Sequence, residues 1–561
     1  MATLEKTSAS KLTRDEFIFL ILSFFVALIL RELIVVRLFP DSINYLTFAR
    51  NILSGIHHAG DVSFLVSFRR PPLYPHLIAF FSWGSHAPVL FAEVGRQISI
   101  VSGSLLVLPL YFLTRKMVNK DAAFFSVVLM VLLSEFVYYS GAVLTEALCT
   151  FIVLWTFLFL WAFESYRNRI ATAFVLGIIS GLAFLCRHLS IGYLGITVLW
   201  FFFIIYHKSP GATFRNKTKK AIGLTLVLAV GFFICVLPQS LYLHSNTGKW
   251  ALAVDPFSLS YQNILEAGGE TRHSTDYEAR AALTEDKEHY RWEKSSQTSF
   301  QKIVLKHPIK YLKAYLSTAS GGYLPDTYPM PYPLLLIILV AFGIIRLMVL
   351  KEWKVLLFLF WGVAGYYLFL ALFLNLRDRY MFTTYPLFLI AAGSGCSWIL
   401  LLIRQLIKHI SKIVISTRLL AIFFSLGITA VLLPETLSFI KNQNSLSNIR
   451  YFTQVGEDLS KRIDKGSFLI DRTPHLAYFA GGVKATPPFS NVEDALYFAR
   501  KRGIKYWIVS SSYVPHLRPQ YKELLRPDLN HEGLRPVAIY RGRSRDITIV
   551  YSIISEGTKG G

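Results

Sequence analysis

Asp41, Arg50, Arg69, Arg70, Glu146, Arg187, His188, Arg377, Asp378 and Arg379 lie in or at the edges of strongly apolar stretches. Ionisable groups at membrane depth are costly to keep there, so they point to function by default. The mixture is informative. One or two carboxylates can accept a proton, and several arginines can hold an anion such as phosphate through paired N–H groups. Each residue also has a plainer explanation. Asp41, following Pro40, could merely cap the helix that begins at Ser42. Glu146, beside Thr145, could bond within a bundle, and Arg69 and Arg70 could anchor lipid headgroups. Arg187 could snorkel from the end of a span, and Arg377 and Arg379 could pair with Asp378. His188 and His76 read as ordinary interfacial histidines, and no HxxxH or HExxH spacing supports a metal.

The elements that position these groups are membrane spans. The chain has 561 residues, 53% hydrophobic and only 17% charged, and its mean hydropathy is +0.45. Soluble proteins carry about a quarter charged residues. Runs such as Phe17 to Val36 and Leu334 to Leu350 suffice to cross the ~30 Å hydrocarbon layer. The first is read as a retained span, since it is too long for a signal peptide and lacks a cleavage pattern. Spans are expected near 16–37, 90–114, 121–138, 143–163, 170–187, 190–206, 221–242, 332–350, 355–374, 381–403 and 417–435, about eleven in all.

The net charge of +23 does not indicate nucleic acid, because the basic residues form no aromatic-interleaved patch on a soluble module. They fall in short alternating loops instead: Lys6, Lys11 and Arg14; Arg115, Lys116 and Lys120; Arg167 and Arg169; Lys208 to Lys220; Arg346 to Lys354; Arg404 to Arg418. Those loops are therefore cytoplasmic. The opposite face receives the long loops 38–89 and 243–331 and the tail beyond about Asn442. In the first loop, Ser42 to Leu53 has helical periodicity and Gly55 stops it. In the second, Ser299 to Ser317 mixes apolar residues with lysines, as a helix along the interface would. The tail alternates β-rich runs at 467–470, 506–511, 537–540 and 548–554 with helical patterns at 452–463, 491–502 and 518–525. That is a soluble α/β domain. Cys149, Cys186, Cys235 and Cys396 all lie in apolar stretches and read as packing residues. No internal or inverted repeat is evident.

PDSINYLTFARNILSG after the first span, followed by RRPPLYPHLIAFF, resembles the first external loop of GT-C-type glycosyltransferases. The relatives it most resembles are the bacterial kin of protein O-mannosyltransferases and of the lipid A aminoarabinose transferase, glycosyltransferase families 39 and 83. YYSGAVLTEAL, GLAFLCRHLS and RDRYMFTTYPLFLIAAG fit the same pattern, as does a C-terminal external α/β domain. The resemblance covers nearly the whole chain, and the order and topology of these motifs carry it. It implies a polytopic α-helical membrane protein with a GT-C-like catalytic module at 1–441 and an extracytoplasmic α/β domain at 442–561.

The same resemblance implies transfer of a hexosyl or pentosyl group, with inversion, from a polyprenyl-phosphate donor to an acceptor hydroxyl of a lipid, glycan or protein. The reaction would take place on the periplasmic face of a bacterial inner membrane, with no cofactor and no metal. The family's essential acidic residue falls on Asp41, expected as the general base, with Glu146 as second carboxylate. The family commonly has Asp-Glu here, whereas this chain has Asp41 followed by Ser42. Arg69, Arg70, Arg187, Arg377 and Arg379 are the expected donor-phosphate ligands. Tyr45, Tyr74, His188 and Tyr380, within the same motifs, are the expected substrate contacts. Two readings from other classes compete: a transporter or flippase of lipid-linked sugars, and a non-catalytic envelope scaffold. The one-sided charges and missing repeat symmetry disfavour a transporter.

The loop alternation predicts sidedness directly. In a background without the four cysteines, single cysteines at Lys116 and Lys217 should label from the cytoplasm. Cysteines at Asp61, Glu285 and Lys465 should label from outside. Labelling of the Glu285 position from the cytoplasm alone would overturn this topology.

Overall fold

The computed structural model describes residues 12–35, 38–57, 70–85, 87–208, 213–253, 282–290, 304–320, 334–373, 378–411, 416–445, 449–472, 474–542 and 546–554. In chain order its first helices are α1 (Arg14–Glu32), α2 (Pro40–Ile52), α3 (Leu73–Phe81), α4 (Pro88–Leu105), α5 (Val107–Met117), α6 (Lys120–Leu132) and α7 (Ser134–Gly141). Next come α8 (Glu146–Ala162), α9 (Arg169–Cys186), α10 (Ile191–Lys208), α11 (Phe214–Thr247), α12 (Pro308–Ala319), α13 (Leu334–Val349), α14 (Trp353–Phe360) and α15 (Tyr366–Ala371). They are followed by α16 (Asp378–Met381), α17 (Tyr385–Ser411), α18 (Thr417–Ser445) and α19 (Ile449–Ser460). The chain divides into two compact units, one of Met1–Val36, Arg96–Trp250 and Tyr323–Leu446, the other of Arg37–Gly95, Ala251–Gly322 and Ser447–Gly561.

The first unit is a helical bundle. Among the described residues eight helical stretches are long and apolar enough to cross a membrane, or nine if the bent pair α6–α7 is one span. The two remaining expected spans fall on α1, with charges at both ends, and on the 16-residue apolar α13. The expected continuous span at 121–138 is broken: α7 is bent by 57° from α6, with Leu133 extended between them. Backbone freed at membrane depth must find a partner within the protein, and Thr436 Oγ1 of α18 donates to the Leu132 carbonyl.

Small residues set the closest helix crossings. A Cβ on Gly343 would lie 1.8 Å from the Ala391 carbonyl oxygen, and one on Gly395 2.2 Å from that of Leu339. α13 and α17 thus meet backbone to backbone, where van der Waals packing replaces the hydrophobic effect that lipid cannot supply.

Polar side chains fix both ends of α1. At its start Glu16 accepts from Tyr111 Oη at 2.6 Å and lies 3.5 Å from Arg115. At its end Arg96 donates to the Glu32 and Ile34 carbonyls, both at 2.8 Å, and pairs with the Glu32 carboxylate at 2.9 Å. Asn444 adds a donor to Leu33 O and an acceptor for Val35 N.

The second unit holds a five-stranded sheet: β1 (Phe468–Ile470), β2 (Val483–Ala485), β3 (Tyr506–Ser510), β4 (Leu534–Arg541) and β5 (Ile547–Ile553), in the order β2-β1-β3-β5-β4. β1 pairs in parallel with β2 and β3, while β5 runs antiparallel to β3 and β4. Three more helices complete it: α20 (Pro474–Phe479), α21 (Val492–Lys501) and α22 (Val514–Leu517). β2 and α20 escaped the sequence reading, because three and six residues are too short for any period to register. The helix expected at 518–525 is a 3-10 stretch, Pro519–Leu525.

The fully buried Trp507, Tyr521 and Tyr551 centre the core of this unit. Leu283 and Tyr290, from the long loop before α12, enter the same core, with the Tyr290 ring 4.7 Å from Phe498. The loop after α1 is tied in as well. α2 packs against α20, Arg50 lies 5.4 Å from the Tyr478 ring, and His475 Nε2 meets the Leu38 carbonyl at 3.0 Å.

That histidine makes the unit acid-sensitive. Burial lowers the His475 pKa to about 4, with Lys484 acting the same way and the Leu38 carbonyl opposing. The unfolded chain takes up the proton near pH 6.5. The stabilisation is therefore complete above pH 6.5 and is lost as pH falls through about 4, a change on the order of 2–3 kcal/mol. Hydrogen exchange of β1 and α20 in the full-length protein, corrected for intrinsic rates, should show protection falling over this window. His475→Gln should flatten the dependence; a parallel fall in both proteins would assign it to another group.

Candidate active site

The loop after α1 supplies one cluster, wholly within the second unit. Pro40 occupies the first helical position of α2, where its missing N–H costs nothing, and Phe39 is the N-cap. Asp41 is therefore not the cap expected from sequence. It stands in the first turn, where the helix dipole favours a negative charge, and Ser42 Oγ accepts from Phe39 N at 2.9 Å. The Asp41 carboxylate pairs with Arg70 at 2.6 Å, both side chains about a quarter exposed. One turn on, Tyr45 lies under the Arg70 guanidinium, 5.6 Å from carbon to ring centre. Tyr45 meets Tyr74 edge-on at 5.6 Å, and Tyr74, fully buried, donates to Gly95 O at 2.7 Å. Asp41, Arg70, Tyr45 and Tyr74 thus form a carboxylate–guanidinium pair on an aromatic floor.

His76 stands apart from this chemistry. It bonds the Pro72 carbonyl and stacks on His57 at 5.5 Å. Burial lowers its pKa, as does His57, against the Pro72 carbonyl. Arg69 falls outside the described residues.

A second cluster lies within the helical bundle. Glu146 opens α8, and Arg187 follows the last residue of α9 in an extended conformation. Their side chains pair at 3.1 Å with both almost fully enclosed, so Arg187 does not snorkel. Arg187 also donates to the Arg379 carbonyl at 3.5 Å and lies 4.7 Å from the Tyr380 ring. Arg379 approaches the same ring at 5.1 Å. Glu146 Oε2 is buried without a hydrogen-bond partner among the described residues. Tyr193 and Tyr366 stack at 4.2 Å, and the Tyr193 hydroxyl bonds Thr383. His188 is beside this group in sequence, with its ring 5.0 Å from Phe184. Arg377 and the side chain of Asp378 fall outside the described residues. No group of three potential metal ligands occurs among those described.

Sequence reasoning missed Arg31, Arg96 and the Tyr193–Tyr366–Thr383 group. Arg31 is fully buried, with Nη1 donating to Ala27 O at 3.0 Å. Its signal was available: an arginine at the end of a long apolar run. The tyrosines gave none, because a tyrosine in an aromatic-rich span has no distinguishing pattern.

Residues 69–238 match the family model of dolichyl-phosphate-mannose-protein mannosyltransferases. No curated protein matches the sequence. Among solved structures, the chain is similar to the apo oligosaccharyltransferase of Archaeoglobus fulgidus, with a TM-score of 0.54 at 14% identity, over 88% of this chain and 69% of that one. The archaeal oligosaccharyltransferase AglB from that organism, in complex with an inhibitory peptide and a dolichol-phosphate, gives 0.53 at 14% identity, over 88% and 70%. ArnT from Cupriavidus metallidurans bound to undecaprenyl phosphate gives 0.52 at 11% identity, over 95% and 97%. At such identities the likeness is one of fold. The fold is GT-C.

Breaking a buried ion pair leaves an uncompensated charge, while removing both partners does not. Glu146→Gln and Arg187→Met should each cost about 3–5 kcal/mol in denaturant unfolding of the purified protein. The double variant should cost less than the sum of the two. Strict additivity would mean that the pair does not interact.

Proposed function

We propose that this GT-C membrane protein is a glycosyltransferase. It moves a sugar, with inversion, from a polyprenyl-phosphate donor to an acceptor hydroxyl on the non-cytoplasmic face. The carrying observation is the Asp41–Arg70 pair: a carboxylate beside a guanidinium, still open to an incoming hydroxyl. Two of the structures with the same fold hold polyprenyl phosphates, which supports a donor of that class.

In this reading the acceptor O–H approaches the anomeric carbon opposite the phosphate, and Asp41 takes the proton as the new C–O bond forms. The bond from anomeric carbon to phosphate oxygen breaks, and its electron pair leaves with the phosphate. Pre-placed guanidinium groups stabilise the charge that develops there; beside Asp41 the described candidate is Arg70, with Arg69 from sequence. Glu146 Oε2 is suited to accept from a sugar hydroxyl, with Arg187 fixing its orientation. Tyr45 supports Arg70 with the buried Tyr74 behind it; within the bundle Tyr380 supports Arg187 and Arg379, and His188 remains a candidate contact.

The test is incubation of purified protein with a panel of polyprenyl-phosphate sugars, scored for released polyprenyl phosphate. Asp41→Asn keeps size and polarity but takes up no proton at neutral pH. It should lower turnover by ~10²-fold or more with donor binding intact. Near-normal transfer by Asp41→Asn, with the correct donor and acceptor, would move the base elsewhere. Failure of every donor to release lipid phosphate would sink the transferase reading.

A further inference from the structure

α12 carries an apolar face that none of the described residues covers. Ile309, Leu312 and Leu316 recur at i, i+3 and i+7 and so share one side of the helix. They are 71%, 54% and 55% exposed, and Leu305, just ahead of the helix, is 79% exposed. The opposite side, with Ala314 and Thr318, is buried against the protein. Lys310 and Lys313 follow one flank of the exposed stripe and Lys306 precedes it, all three in water. No acidic residue occurs between Val304 and Ser320.

A bare apolar stripe of this size is unusual on a surface meant for water. The lysines decide its partner. A protein partner would need an apolar groove with an acidic rim, whereas a bilayer carrying anionic headgroups offers both layers at once. The setting agrees, because the chain passes from the end of α12 at Ala319 to the apolar α13 at Leu334.

We propose that α12 is a binding surface for anionic phospholipid. The Ile309–Leu312–Leu316 stripe enters the outer edge of the acyl region, and Lys306, Lys310 and Lys313 hold headgroup phosphates. α12 then lies in the plane of the interface and recruits acidic lipid around this unit. The inference does not depend on the reaction proposed above.

Full-length protein in nanodiscs tests it. Ile309→Cys, in a background with Cys149, Cys186, Cys235 and Cys396 replaced by alanine, carries an environment-sensitive fluorophore. In discs containing phosphatidylglycerol its emission should be blue-shifted and quenched severalfold by lipids brominated high on their chains. A probe at Ser317, towards the lysine flank, should be quenched much less. Replacing Lys306, Lys310 and Lys313 together by glutamine should abolish any preference for phosphatidylglycerol over phosphatidylcholine, measured with spin-labelled lipids. An unquenched Ile309 probe overturns the proposal, as does cross-linking of that position to a second copy of the chain. A lysine-free variant that keeps the wild-type preference for phosphatidylglycerol would overturn the anionic selectivity.

Discussion

A guanidinium that leaves water must take hydrogen-bond partners with it, and this requirement organises both clusters of candidate residues. Arg187 satisfies it with the Glu146 carboxylate, the Arg379 carbonyl and the face of Tyr380. Arg96 satisfies it with the Glu32 carboxylate and two carbonyls at the end of α1. Arg346, almost fully buried, reaches the Ser394 carbonyl at 2.9 Å. In the first two cases the planar fork ties helix ends and in the third it joins α13 to the middle of α17, where lipid competes for apolar contacts and not for these. Removing such an arginine therefore disturbs a helix contact as well as a charge. A functional reading of any one of them needs a readout that separates the two effects.

Much of this was legible in the sequence, for a physical reason. Charge in an apolar background is rare and expensive, so Asp41, Arg70, Glu146, Arg187 and Arg379 stood out without any structure. The sequence offered only Asp378 as an ion-pair partner for arginine; the pairs Asp41–Arg70 and Glu146–Arg187 emerge from the structure. What the sequence withheld was partnership at a distance. Glu146 and Arg187 are forty-one positions apart, and nothing local says that α8 begins where α9 ends. Of the two readings of Asp41, the cap fails, because Pro40 fits the first helical position and Phe39 becomes the N-cap.

The fold was legible in the same uneven way. Long apolar runs announced most of the spans, but the break at Leu133 did not show, since no glycine or proline marks it within 121–138. Its stability depends on Thr436, three hundred residues away along the chain. The α/β tail was readable where β-branched runs were long, in β3 and β5, and unreadable in the three-residue β2. Leu283 and Tyr290 joined its core from a loop that looked only polar. A core residue supplied from so far along the chain leaves no local period to detect.

The two carboxylates are suited to different work, and burial is what separates them. A base that turns over must receive a proton and then lose it to water. Asp41 retains about a quarter of its side-chain surface and can do both, with Arg70 at 2.6 Å. Glu146 has 3% of its side chain exposed and one oxygen committed to Arg187, so a proton delivered there would have no ready exit. Its second oxygen, buried and unpartnered among the described residues, is costly as it stands and gains most from a donor that arrives with a ligand. An acceptor fixed by a buried arginine positions a hydroxyl better than it consumes one. Under the proposed function, exposure therefore suits Asp41 to proton uptake, and enclosure suits Glu146 to holding a hydroxyl.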